Sequence, residues 1–224
     1  GVVKLWDSES CVEKLSISPH QGECGGCAFS PTGSHFVSVG LKDGVMVFYE
    51  CSSGNLLGSL KSSRDGFSNV TFSPDGRWIA TQNHFGTAPM AKILDAKTLE
   101  EVRSLQLPDI GKSTVFSPDG KSLAVGSGDG FVRFWDLETG ELTGTLAAGQ
   151  FVRKVRYLPD GKRMGVQSGF GTITVFDVES GYRIHPDWIL GVNRFDLSED
   201  GRKLAVGSSG GNSKLIDLES GEKQ

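Results

Sequence analysis

The sequence predicts an all-β protein built from repeated four-stranded antiparallel units. Three observations carry that expectation: a turn motif recurring every 40 to 44 residues, a second column of aromatic or aliphatic residues each followed by a carboxylate, and no segment with helical periodicity. The turn motif reads Phe29-Ser-Pro-Thr-Gly33, Phe72-Ser-Pro-Asp-Gly76, Phe116-Ser-Pro-Asp-Gly120, Tyr157-Leu-Pro-Asp-Gly161 and Leu197-Ser-Glu-Asp-Gly201, with glycines 43, 44, 41 and 40 residues apart. The second column holds Trp6-Asp7, Tyr49-Glu50, Leu94-Asp95, Trp135-Asp136, Phe176-Asp177 and Ile216-Asp217.

Each element has a local reason. Pro suits the second position of a type I turn, Asp caps the turn with its carboxylate, and Gly accepts the positive φ that follows, so the first column reads as a hairpin turn. Short runs such as Ser122-Leu-Ala-Val-Gly-Ser127 and Phe131-Val-Arg-Phe-Trp135 are bounded by turn residues and read as strands. Further turns fall at Asp43-Gly44 and Asp129-Gly130, and after the second column at Ser53-Gly54, Thr139-Gly140, Ser180-Gly181 and Ser220-Gly221. Four strands per unit follow, and four short antiparallel strands in roughly 40 to 45 residues are the signature of a β-propeller blade.

The two columns and their period resemble the WD-repeat family over essentially all of residues 1–224. Residues 96–136 match best, with Ser127, Asp129-Gly130 and Trp135-Asp136 in place. The resemblance implies a single domain of WD-type blades: a third strand of a first blade at about 1–7, repeat units at about 8–50, 51–95, 96–136, 137–177 and 178–217, and a tail at 218–224. It assigns structural roles to Trp6, Asp7, Ser127, Asp129, Trp135, Asp136, Phe176, Asp177 and Asp217. In the family a Gly-His pair braces each blade through a Ser or Thr, the turn Asp and the Trp. Here only His20 stands at that place, after Pro19, so apolar packing is expected to be the main stabiliser. About five to six blades are represented with the first and last incomplete, and a piece of a longer propeller, self-associating through open blade edges, is expected.

Composition narrows the function classes. The chain has 224 residues, 31 of them Gly, and a formal net charge of -4, so no global positive field attracts nucleic acid. No apolar run approaches the roughly 18 residues of a membrane span. Four cysteines, Cys11, Cys24, Cys27 and Cys51, are too few for a secreted disulfide framework, and an intracellular, cytoplasmic setting is expected.

Candidate chemistry is weighed against blade architecture. Cys24-Gly-Gly-Cys27 has the spacing of a redox dithiol or half a zinc site, but it falls in columns with Phe67 and Val70, Gly111 and Thr114, Val152 and Val155, and Val192 and Phe195, mostly apolar places where a free Cys packs as a small hydrophobe. The aspartates recur once per unit, as architecture does and catalysis does not. No nucleophile elbow, phosphate loop or metalloprotease motif is present, and no cofactor is expected. Specificity is expected in residues that break the repeat: His84 and Phe85 in the insertion 82–90, Trp188, and Arg153 with Lys154, Arg156 and Phe151, near whose place neighbouring units hold Lys112 and Arg194. The resulting expectation is a non-catalytic scaffold binding proteins or peptides, acidic ones included, at the propeller rim. A periplasmic or peptidase-associated propeller with Ser-Pro-Asp-Gly turns, and a propeller enzyme with an axial ligand site, are the alternatives.

Overall fold

The computed structural model describes residues 1–62, 66–83, 88–169, 171–184, 192–198, 200–208 and 211–220, and all regular structure among them is β-strand. The chain divides into two compact units, Gly1–Phe116 and Ser117–Gln224.

In the first unit, β1 (Val3–Trp6) and β2 (Glu13–Ile17) form a hairpin. A four-stranded antiparallel sheet follows from β3 (Cys24–Phe29), β4 (His35–Gly40), β5 (Val45–Glu50) and β6 (Leu56–Lys61). A second contains β7 (Phe67–Phe72), β8 (Trp78–Asn83), β9 (Met90–Asp95) and β10 (Glu101–Gln106), and β11 (Gly111–Phe116) lies beside β7 and β8. In the second unit β12 (Ser122–Ser127), β13 (Phe131–Asp136) and β14 (Leu142–Ala147) pair in order. So do β15 (Val152–Tyr157), β16 (Arg163–Ser168) and β17 (Thr172–Asp177), and then β18 (Val192–Leu197), β19 (Lys203–Ser208) and β20 (Ser213–Asp217).

Strand position within a sheet sets its burial. In β4, β8, β12 and β16 every residue after the first is buried, because these strands are covered on both faces. The outer strands β6, β10 and β14 are largely exposed, as sheet edges should be. Adjacent sheets share their cores: Val37, Met46 and Phe48 pack with Phe67, Val70 and Ile79 in the first unit, and Ile173 and Val175 with Val192, Phe195 and Leu204 in the second. Each such side chain contributes about 1.5–3 kcal/mol by leaving water.

Both motif columns are hydrogen-bonded turns. Ser73 Oγ donates to Asp75 Oδ1 at 2.6 Å, Arg77 N donates to the same oxygen at 3.0 Å, and Trp78 N donates to Ser73 Oγ at 2.8 Å, while Gly76 takes φ +73°. Ser117 with Asp119, and Ser198 with Asp200, repeat the arrangement. In the second column Oδ1 of Asp136 accepts from Glu138 N at 2.9 Å and Thr139 N at 2.7 Å, and Asp7, Asp95, Asp177 and Asp217 hold their turns in the same way. These bonds hold the carboxyls of Asp95, Asp177 and Asp217 below their ordinary value, and at Asp7 the hydrogen bond from Lys14 does most.

The residues preceding those aspartates differ in environment. Trp135 and Phe176 are buried, and Tyr49 stacks on Phe36 with centroids 5.3 Å apart, whereas Trp6 is 57% exposed beneath the Lys4 ammonium.

Two polar braces supplement packing. His20 is buried, its Nε2 lies 2.8 Å from Ser38 Oγ, and its Nδ1 lies 3.4 Å from Asp43 Oδ2. Asp43 also accepts from Gln21 N and Val45 N, which ties the loop before β3 to the β4–β5 turn. Asp129 holds the place of Asp43 in a unit without the histidine, and there the Arg133 guanidinium takes it bidentately at 3.1 and 2.5 Å. Ser127 adds a further bond to Asp129.

Candidate interaction surface

The inner strands carry a β-bulge at their start. The register slips between Cys24 and Gly26 in β3, Phe67 and Asn69 in β7, Val152 and Lys154 in β15, and Val192 and Arg194 in β18. A bulge inserts one unpaired residue and re-aims its side chain. The inserted residue of β15 is Arg153, flanked by the buried Val152.

Arg153 is exposed. Its Nε donates to Gly169 O at 2.9 Å, and its guanidinium carbon lies 5.0 Å from the centre of the Phe151 ring. These contacts fix the side chain and use one of its five N–H groups, and among the described residues the two terminal nitrogens remain for a ligand.

The other cations of β15 are held by the neighbouring strand. Arg156 grips Asp196 with both Nε and a terminal nitrogen at 3.1 Å. Lys154 donates to Phe195 O, sits 5.1 Å over the Phe195 ring and 4.0 Å from Asp196 Oδ2. Desolvation lowers the Lys154 ammonium from its ordinary value, and Asp196 opposes that shift. Asp196 is thus the residue that separates this strand into held and available cations, and its contribution depends on a pairing across sheets that a single repeat does not display.

Lys112 is the second residue of β11, the place Arg153 holds in β15, and is exposed. Arg194 follows the bulge of β18 by one residue, matching Lys154, and is also exposed. Lys112 belongs to the first unit and Arg153 and Arg194 to the second. His84, Phe85 and Trp188 lie outside the described residues.

The cysteine pair departs from its column. Val70, Val155 and Phe195 are buried, but Cys24 is half-buried and Cys27 exposed. Desolvation around its sulfur and the adjacent Cys24 push the Cys27 thiol up, opposite to what a thiolate nucleophile needs. Among the described residues all four cysteines are free, and no group of three or more His, Cys, Asp or Glu is placed to hold a metal. The Ser38–His20–Asp43 set has the residue types of a nucleophilic triad, yet Ser38 is 0% exposed and no substrate reaches it. No described helix is long and apolar enough to cross a membrane.

Comparison with known proteins agrees with the repeat. Residues 97–136 match the family described as WD domain, G-beta repeat. The chain is 31% identical over 144 residues to Pre-mRNA-processing factor 19 of Oryza sativa subsp. japonica, covering 60% of this chain and 26% of that protein. It is 28% identical over 144 residues to Small ribosomal subunit protein RACK1y of the same plant, covering 60% and 41%. With Cross-pathway control WD-repeat protein 2 of Flammulina velutipes it shares 30% over 146 residues, covering 61% and 44%. The match therefore spans less than half the length of each of these relatives. The matched segment 97–136, in which Asp129, Trp135 and Asp136 all stand in place, is a repeat of the WD domain, G-beta repeat type.

Proposed function

We propose that this chain is a non-catalytic interaction scaffold that receives an acidic peptide segment of a partner protein at the bulged ends of its inner strands. The observation that carries the reading is Arg153: exposed, aimed by a bulge, fixed by Gly169 and Phe151, with both terminal nitrogens available, on a strand whose other cations are held by Asp196. A fixed guanidinium loses little freedom on binding and matches a carboxylate or phosphate with two parallel bonds. Arg194 supplies further positive charge at the start of β18 in the same unit.

The likeness to a pre-mRNA-processing factor and a ribosomal subunit protein supports work within assemblies of other proteins. The free cysteines fit a reducing, cytoplasmic setting. A net charge of -4 argues against nucleic acid as the direct ligand.

Fluorescence polarisation with a labelled Asp/Glu-rich dodecapeptide tests the proposal. Arg153→Ala with Arg194→Ala should weaken binding by about 1–3 kcal/mol, and binding should decline with added salt. Unchanged affinity in the double variant would count against it.

A further inference from the structure

A cleft of about 580 Å³ opens in the first unit at the opposite ends of β3 and β7 from their bulges, where the turn after β3, the turn after β7 and the turn after β9 converge. Its floor is apolar: Phe48 and Phe72 meet edge to face at 6.0 Å, and Leu57 and Leu99 form the outer wall. Leu57 is 54% exposed. The size is that of a pocket for one or two bulky side chains.

Two residues shape this space. Gly58 faces Phe48 across the β5–β6 ladder, as Gly144 faces Phe134 in the second unit, whereas the neighbouring sheet has Arg103 facing Ile93. A Cβ there would meet only Leu99 within 4 Å. Leu99 itself occupies the place that Gly54, Gly140 and Gly181 hold in other units, closing the turn by donating its N–H to Asp95 O, as they donate to the residue four before. Those glycines take φ +71°, +77° and +70°, and Leu99 takes +63°, a conformation that a leucine adopts only at a cost. Cys11 takes φ +55° at the same place after Asp7, but of the two only Leu99 lines the cleft, and strain borne by a side chain that lines a cleft is a mark of use.

The charges at the rim are not equivalent. Asp75 and Asp95 each give an oxygen to the amides of their own turns. Arg77 lies 4.4 Å over the Trp78 ring, and neither Arg77 nor Lys97 makes an ion pair among the described residues. The geometry points to a second peptide site: this cleft takes a partner segment in which a bulky aliphatic or aromatic side chain is followed by a carboxylate, the side chain entering beside Leu57 and Leu99 and the carboxylate meeting Arg77 and Lys97.

The test uses the 224-residue chain and a fluorescein-labelled octapeptide, Gly-Ser-Gly-Leu-Phe-Glu-Gly-Ser amide, with versions carrying Lys for Glu or Ser for Phe. Saturable binding of the parent peptide is expected, weaker for both altered peptides. Leu99→Gly should weaken it at least about tenfold without lowering the melting temperature, since glycine relieves the strain. Gly58→Leu, which fills the cleft, should do the same, and Arg77→Gln and Lys97→Gln should each cost about threefold. Arg153→Ala should leave this binding intact, which separates the cleft from the inner-strand site. The absence of saturable binding, equal binding of the Lys-substituted peptide, or full affinity in Leu99→Gly or Gly58→Leu with native circular dichroism overturns the assignment.

Discussion

A buried histidine gives this protein an acid sensitivity that its surface aspartates do not. His20 is held below its ordinary value by burial, with Asp43 pulling the other way. The folded chain therefore binds fewer protons than the unfolded one just below pH 6.5, and stability is full above that pH and falls as pH drops toward the folded value. The aspartates of the turns are shifted in the same direction but from a lower starting point, so their contribution is lost only as pH falls below about 4. Denaturation midpoints measured from pH 7.5 to 5 should decline, and His20→Gln should be less stable at pH 7.5 but flatter across that range. A second contrast involves two glutamines in one column. Gln82 is 0% exposed with neither amide atom partnered among the described residues, whereas Gln167 donates to Val192 O at 2.6 Å. Gln82→Met should be neutral or stabilising by about 1 kcal/mol, and Gln167→Met destabilising by about 1–2 kcal/mol, in urea titrations.

At the scale of elements, the turns were readable because their chemistry is local. Ser, Pro, Asp and Gly at fixed offsets dictate both the bend and its hydrogen bonds, so the recurring aspartates are placed by their own neighbours. Asp136→Ala should cost about 1–2 kcal/mol by leaving two turn amides without an acceptor. Contacts between sheets were less legible. Arg133 replaces a missing histidine at Asp129, and the signal was present in sequence only as an Asp and an Arg four residues apart. The cysteine column shows the limit of alignment within one chain: it finds equivalent positions, but burial depends on which strand lies against them. Leu99 was visible as Thr98-Leu99 standing where other units read Ser-Gly or Thr-Gly, yet its meaning required the φ angle and the cleft. Sheet packing also explains Gly126, where an added Cβ would collide with Cγ1 of Val152 from the next sheet. Gly126→Ala is expected to lose about 1–3 kcal/mol.

For the whole molecule, the period carried the fold class, and the two motif columns carried the family. The proposed binding site was harder to read, because the proposal rests on bulges and on Asp196, whose pairing with β15 crosses from one repeat to the next. Large apolar side chains remain in water, among them Phe29 at 58% and Trp6 at 57%, and we propose that such surfaces support self-association. Light scattering should then show a mass that rises with concentration, and a constant monomer mass would remove that part of the proposal. The most direct test of the scaffold reading is the titration of the acidic dodecapeptide into the chain and into its Arg153→Ala, Arg194→Ala variant. Saturable, salt-sensitive binding that weakens in the variant while the β-sheet spectrum is unchanged is the predicted result; binding of equal strength in both proteins, or none in either, contradicts it.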